Sequence, residues 1–352
     1  MVTRSILWLA ERGLLPDSLI RLGIRRLCRE RLHELHATFR PDPAAAMKAF
    51  LHRLAASAVA EVPELANAQH YEVPAAFYER VLGRHLKYSS CYYDSPSASL
   101  DDAEARALDL TVQHADLKDG QRILELGCGW GSLSLTMAER FPNSSITGVS
   151  NSHSQREHIM AAAEKRGLRN LRIVTEDMNC FTPEGTFDRM VSVEMLEHIR
   201  NQEALLARIA TWLRPEGRFF FHVFCHREFP YTFDAQGASD WMARHFFSGG
   251  LMPNRDLIPS LAKDFEVEAS YDWDGTHYAR TAEHWLANQD AHKDELLSLF
   301  GSSMPRSAPR ITFQRWRIFF LACAELFAFD SGSEWGVVHH RLRLRSLERQ
   351  ST

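Results

Sequence analysis

The chain has 352 residues, 45% apolar and 24% charged, a composition that leaves enough apolar surface to bury a full core and a ligand pocket. A net charge of −4 excludes a global electrostatic footprint for nucleic acid. Cys28, Cys91, Cys128, Cys180, Cys225 and Cys323 show no CxxC spacing, which argues against a zinc ribbon or a disulfide framework and fits a reducing cytosol.

In chain order, residues 3 to about 60 read as helices. Leu14, Leu19, Leu22, Ile24 and Leu27 recur at near-helical spacing, and Pro16 before Asp17-Ser18 marks a helix start. The apolar run Ile6-Leu7-Trp8-Leu9-Ala10 is too short for a signal segment and is broken by Glu11-Arg12. No run approaches the roughly 18 apolar residues of a spanning helix. A cytoplasmic protein without stable membrane insertion is therefore expected. Basic clusters at 21–26 and 341–345 read as solvated faces of terminal elements, with membrane-surface contact as the alternative. The N-terminal helices are expected either to form a homodimer contact or to cover the site. Residues 61–69 read as a linker. His70-Tyr71-Glu72-Val73-Pro74 opens a helical stretch ending near Gly83, and 86–94 reads as a structured loop.

From about 103 the pattern alternates strand and helix, which predicts a parallel sheet with crossovers. Expected strands are 122–126, 145–149, 171–174, 188–193 and 217–224, with helices at 132–140, 154–166 and 202–213. Short apolar strands point to burial on both faces. After Phe224 the alternation stops, and residues 225 to about 262 read as an aromatic- and histidine-rich insertion over the carboxyl edge of the sheet. A strand at 265–273, a long helical stretch at 277–300, a loop at 302–309, a helix at 311–327 and a strand at 335–344 complete the pattern. The expected divisions are an N-terminal helical extension and covering segment (1–102), an α/β core (103–224), a substrate-side insertion with one core strand (225–310), and a C-terminal helix and strand (311–352).

The first strand ends in Glu125-Leu126-Gly127-Cys128-Gly129-Trp130-Gly131. Glycines allow positive φ and close ligand approach, and the helix that follows offers unpaired N–H groups to ligand polar atoms. The spacing is GxGxG rather than the GxGxxG of dinucleotide binding, and no Lys-Ser/Thr pair follows to cradle phosphate. A carboxylate at Glu125 suits a cofactor carrying ammonium and sulfonium charges, which points to S-adenosylmethionine (SAM). Asp177-Met178, after the third strand, supplies a carboxylate for an adenine amino group and a thioether to pack on its ring. The second strand ends in Ser150-Asn151 rather than an acid, leaving Asn151 and Gln155 for the ribose hydroxyls.

Taken with Lys87-Tyr88-Ser89-Ser90-Cys91-Tyr92-Tyr93, Glu194-Met195-Leu196-Glu197-His198 and His277-Tyr278-Ala279-Arg280-Thr281, these motifs resemble the cyclopropane-fatty-acid synthase superfamily of methyltransferases over roughly residues 70 to 345. Cys225-His226-Arg227-Glu228-Phe229 and Gly332-Ser333-Glu334-Trp335 resemble its coclaurine N-methyltransferase branch. The resemblance implies a Rossmann-like class I methyltransferase fold, with a mostly parallel seven-stranded sheet, an N-terminal helical extension and a helical insertion over the active site. It also implies SAM contacts from Tyr88, Ser89, Gly127, Asn151, Gln155, Asp177, Met178 and Val193, to which Glu125 and Gly129 are added from the loop reading. Where the synthases carry Tyr-Ser-Cys, this chain has Tyr88-Ser89-Ser90 and the cysteine is displaced to Cys91. That cysteine helps hold bicarbonate in the synthases, so its displacement argues against cyclopropanation.

The expected catalytic cluster is Glu194, Glu197 and His198, whose i, i+3, i+4 spacing can share one helix face. An alkylamine is mostly ammonium at neutral pH, so an acceptor amine needs a base. The reading is that His198 takes the proton, Glu197 polarises it and Glu194 orients the amine. His222 and His226 lie four apart, but no third ligand follows, so no metal is expected. Substrate-side candidates are His222, His226, Trp241, Phe246, His277, Tyr278 and Trp335, an aromatic wall for a cationic or aromatic amine. Methylation of a small amine is the leading reading. The alternatives are methyl transfer to a lipid acyl chain, as in cyclopropane synthesis, and a non-catalytic SAM-binding protein.

Overall fold

The structure is a computed structural model and describes residues 2–59, 73–234, 240–304 and 308–346. The linker expected at 61–69 and the motif residues His70 to Glu72 lie outside the described residues. Among the described residues nine strands form: β1 (Arg122–Leu126), β2 (Ser145–Ser150), β3 (Leu171–Thr175), β4 (Phe187–Val193), β5 (Leu213–His226), β6 (Tyr231–Thr232), β7 (Leu251–Met252), β8 (Phe265–Trp273) and β9 (Trp335–Leu344). Seven make one sheet in the order β3-β2-β1-β4-β5-β9-β8, while β6 and β7 pair separately. β1 to β5 pair in parallel, and β9 runs antiparallel to both β5 and β8. This is the mostly parallel seven-stranded sheet that the sequence implies.

Alternation along the strands explains why both faces are covered. Leu124, Met190, Phe219 and Phe221 pack beneath the helices Gln202–Trp212 and Leu257–Leu261, whereas Ile123, Val191 and Phe220 face the helices Leu100–His114, Ser132–Arg140 and His153–Lys165. Most boundaries fall within one or two residues of expectation, and two elements depart further. β5 begins at Leu213, which pairs with Phe187 of β4, and a register irregularity separates that pair from the next, Arg218 with Arg189. The stretch expected as one helix at 277–300 is two, Gly275–Ala291 and Lys293–Ser303, broken where His292 leaves helical geometry at φ −104°, ψ 22°.

The N-terminal extension forms the helices Val2–Glu11, Asp17–Phe39 and Pro43–Ala55. The second of these lies on the C-terminal helix Pro309–Phe327, fastened by Arg21 and Arg25 to Glu325 and by Arg317 to Asp17. The two ends of the chain thus build one layer with its own core, distinct from the two cores on the sheet faces. Among the described residues, no helix is long and apolar enough to cross a membrane.

Candidate active site

β1 delivers the chain to Gly127, Gly129 and Gly131, with φ of +80°, +50° and +85°. A Cβ on Gly127 would stand 2.6 Å from the Met195 side chain, so packing as well as backbone demands glycine there. A Cβ on Gly129 would meet nothing within 4 Å. That open space belongs to one cavity at the carboxyl ends of the strands, where open α/β sheets bind ligands. Tyr88, Ser89, Glu125, Gly127, Gly129, Asn151, Gln155, Asp177, Met178 and Val193 all line it.

The lining fits an adenosyl cofactor with an amino acid tail. Ser132 Oγ, Trp130 Nε1 and Trp285 Nε1 are buried in the cavity wall with no hydrogen-bond partner among the described residues, and such atoms call for a ligand or water. Glu125 receives a hydrogen bond from the Ser134 hydroxyl, and burial pushes its carboxyl up to about 7. A cationic ligand group beside it would bring it back to the ionised form. Gln155 is held by Ser150 Oγ donating to its Oε1 at 2.6 Å, and Asp177 accepts the Asn179 backbone N–H at 2.8 Å.

Sequence reasoning missed two residues that position the covering segment. Glu104, buried in the helix Leu100–His114, accepts the backbone N–H groups of Gly83, His85 and Lys87 at 2.9, 2.7 and 3.1 Å. It thereby pins the turn that carries Tyr88 and Ser89. Lys87 itself is buried, donating to Ser89 Oγ and Ser90 O, each at 2.6 Å, and burial lowers its pKa. Glu104 has no sequence signal apart from tertiary context, and Lys87 falls inside the motif at 87–93 without being singled out there.

The catalytic cluster departs from the expected helix face. Glu194 takes the left-handed conformation (φ 48°) ahead of a short 3₁₀ turn, Leu196–His198, so Glu194, Glu197 and His198 do not share a continuous helix. The consequence is divergence. Glu194 and His198 line the cavity, while Glu197 is wholly buried outside the lining. Glu197 Oε1 accepts the Phe224 N–H at 2.8 Å, and Oε2 has no hydrogen-bond partner among the described residues. Burial, reinforced by Glu194, pushes the Glu197 carboxyl well above the usual carboxylate range. Burial raises the Glu194 carboxyl too, but three donors reach it: Ser90 N–H at 2.9 Å and His222 Nε2 at 3.1 Å on Oε1, and Tyr278 OH at 2.7 Å on Oε2. His198 packs against Phe247, ring centroids 4.5 Å apart.

Of the seven substrate-side candidates, Tyr278 alone lines the cavity. His222 sits directly behind Glu194. His226 Nδ1 accepts the N–H groups of Glu228 and Phe229, capping a turn. Trp241 donates to Glu11 at 2.9 Å, and Phe246 stacks on Phe319. His277 accepts the Tyr93 N–H and stacks on Tyr92, and Trp335 donates to Tyr231 OH at 3.1 Å. These contacts hold the insertion and the end layer together, while His226 Nε2 is buried without a hydrogen-bond partner among the described residues. Among the described residues no group of three or more His, Cys, Asp or Glu side chains could hold a metal ion. The wall facing Glu194 comes instead from Phe224, Phe233, Met242, Phe247, Met252, Phe319, Leu326 and Phe327.

Comparison with known proteins places this geometry. Residues 61–334 match the family model described as mycolic acid cyclopropane synthetase. The chain is 33% identical to (S)-coclaurine N-methyltransferase of Thalictrum flavum subsp. glaucum over 335 residues, covering 94% of this chain and 92% of that one. It is 28% identical to cyclopropane-fatty-acyl-phospholipid synthase of Escherichia coli over 283 residues, 79% of this chain and 68% of that one. A crystal structure of coclaurine N-methyltransferase bound to N-methylheliamine and SAH superposes with a TM-score of 0.92 at 31% identity, covering 96% of this chain and 99% of that one. The chain belongs to the mycolic acid cyclopropane synthetase family and is an S-adenosylmethionine-dependent methyltransferase.

Proposed function

We propose that the protein N-methylates a small amine of the benzylisoquinoline or another arylalkylamine type. The observation that carries this reading is that Glu194 and His198 share one cavity with the glycine loop and an apolar, aromatic wall, His198 packing on Phe247 and the Glu194 partner Tyr278 on Phe327. An acceptor with a flat apolar body and one cationic nitrogen matches both halves. The relatives named for N-methylation support the same reading.

Within it, Glu125, Gly127, Gly129, Asn151, Gln155, Asp177, Met178 and Val193 hold the cofactor, with Tyr88 and Ser89 closing over it. Bound there, SAM supplies a methyl group already activated toward attack by an amine lone pair. The chain's own contribution is alignment, exclusion of water and removal of a proton. Glu194 attracts the ammonium form of the acceptor. Three of its roughly four acceptor sites are occupied by Ser90, His222 and Tyr278, which leaves one for the amine. Glu194 or His198 then takes the proton that frees the lone pair, and one proton leaves per methyl transferred. Glu197, buried and tied to Phe224 N–H, supports the turn that carries His198.

Incubation with methyl-labelled SAM, a panel of secondary arylalkylamines and phospholipid vesicles tests the acceptor. Label on an amine, read by mass, is the expected result. Label on lipid alone overturns the reading in favour of acyl-chain chemistry, and label on neither overturns it in favour of an acceptor of another class. A second copy of the chain is the proposed macromolecular partner, through the exposed Ile6, Trp8, Leu14, Leu19, Leu22 and Leu27 of the N-terminal helices. The six unpaired cysteines support a reducing, cytoplasmic setting.

A further inference from the structure

Behind Glu194 a row of histidines crosses the sheet. Val193 pairs with His222 of β5, His222 with His339 of β9, and His339 with Tyr271 of β8. Residues in register on neighbouring strands project to the same side within contact distance, so imidazoles placed in this row must meet. Glu194 Oε1 lies 3.1 Å from His222 Nε2, His222 Nδ1 lies 2.9 Å from His339 Nε2, and His339 Nδ1 lies 2.9 Å from His114 Nδ1. His222 and His339 have no exposed surface, and His114, stacked face to face on Tyr271, is 7% exposed. Trp273 packs on both buried rings.

With Glu194 ionised, the row has one self-consistent arrangement of protons. A carboxylate only accepts, so His222 carries its proton on Nε2 and offers a lone pair at Nδ1. That lone pair needs a donor, which makes Nε2 the protonated nitrogen of His339. His339 Nδ1 then accepts in turn, which makes His114 the Nδ1–H tautomer. Burial keeps all three rings neutral, the largest cause of their lowered pKa values. A neutral imidazole has two tautomers, and the neighbour on its far nitrogen selects between them.

We propose that His339 and His114 are positioning residues for methyl transfer: they fix His222 as the Nε2–H tautomer, which keeps a donor aimed at Glu194 and so keeps Glu194 an ionised, oriented acceptor. This rests on Glu194 serving an amine, as proposed above. The donor matters because burial pushes the Glu194 carboxyl up, toward the protonated form that attracts no cation. The other titratable groups facing Glu194 are Lys87 and Cys91 from the covering segment, Glu197 from its own turn, Tyr278 from the helix Gly275–Ala291 and Cys323 from the helix Pro309–Phe327. His339 also faces His340 and Lys87, and His114 faces Arg106 and Arg341. Lys87 stays in place in the variants below.

His339→Leu removes the donor at similar bulk, and His339→Gln restores an N–H where Nε2 stood. With the full-length enzyme, SAM and an amine it accepts, His339→Leu should lower kcat about tenfold near neutral pH and move the acidic limb of the kcat profile up by about one pH unit. SAM affinity should stay within about twofold, and His339→Gln should keep the limb in place with kcat within about threefold of wild type. An unshifted limb in His339→Leu overturns the proposal, as does an equal loss in both variants tracking a fall in melting temperature. A readout independent of any acceptor is the imidazole ¹⁵N spectrum of histidine-labelled protein, with His222 assigned by the signal lost in His222→Asn. The His222 signal should show protonation at Nε2 in the wild type and a mixture of tautomers in His339→Leu. Protonation at Nδ1 in the wild type overturns the proposal whatever the enzyme methylates. The converse result, correct tautomers with no amine methylated, rejects the amine reading alone.

Discussion

Two glycines of the cofactor loop carry different burdens, and their substitutions should separate. At Gly127 an added Cβ collides with Met195, the residue after Glu194, at a positive φ. Gly127→Ala should therefore lower stability by about 1–3 kcal/mol and reduce turnover, read by thermal melting and kinetics. At Gly129 an added Cβ enters open cavity. Gly129→Ala, strained only through its φ of +50°, should cost about 1–2 kcal/mol in stability but weaken SAM binding clearly in calorimetry. Glu125 supplies a pH signature. Burial raises its carboxyl to about 7 in the free protein, and pairing with a cofactor ammonium requires the ionised form. SAM affinity should rise with pH up to about 7, by at most tenfold per unit, and level off above it. Glu125→Gln should bind SAM more weakly and flatten that dependence; a wild-type affinity with no slope between pH 5.5 and 8.5 would exclude the pairing.

Among the elements, the C-terminal helix Pro309–Phe327 matters most for the acceptor. Its apolar spacing shows a helix with a buried face, and Phe319, Cys323, Leu326 and Phe327 lie on the part that faces the cavity. Periodicity marks such a face as buried without saying whether it meets core or ligand. Phe327 stacks on Tyr278, with ring centroids 4.2 Å apart, and so couples this wall to the Glu194 site. Phe319→Ala should raise KM for an arylalkylamine about tenfold while leaving SAM affinity within about twofold, the loss of one aromatic contact at an apolar wall. An unchanged KM would place the acceptor elsewhere in the cavity. The stretch at 194–198 shows a different limit. Its spacing suits a helix, but a left-handed Glu194 and a single 3₁₀ turn send Glu197 into the core and leave Glu194 and His198 at the cavity.

For the whole molecule, the two ends of the chain act together. Arg21, Arg25 and Arg317 tie the N-terminal helices to the C-terminal helix that walls the site, while the outer face keeps Trp8, Leu19 and Leu22 about half exposed. Light scattering during size exclusion should show a dimer that Trp8→Glu with Leu22→Glu converts to monomer; a wild-type monomer at tens of micromolar would remove the dimer. The sequence by itself determined the parts whose physics is local. Strand–helix alternation from 103 onward, the GxGxG turn after β1 and the cavity-lining candidates Glu125, Gly127, Gly129, Asn151, Gln155, Asp177 and Met178 follow from periodicity, backbone freedom and short motifs, while Tyr88, Ser89 and Val193 come with the family resemblance. Only the tertiary structure decided which aromatics line the cavity and which, such as Trp241, Phe246 and Trp335, bind the layers to one another. Only it brought His114, His222 and His339 into one row behind Glu194, because strand order and register join residues separated by more than a hundred positions, and no spacing along the chain encodes that.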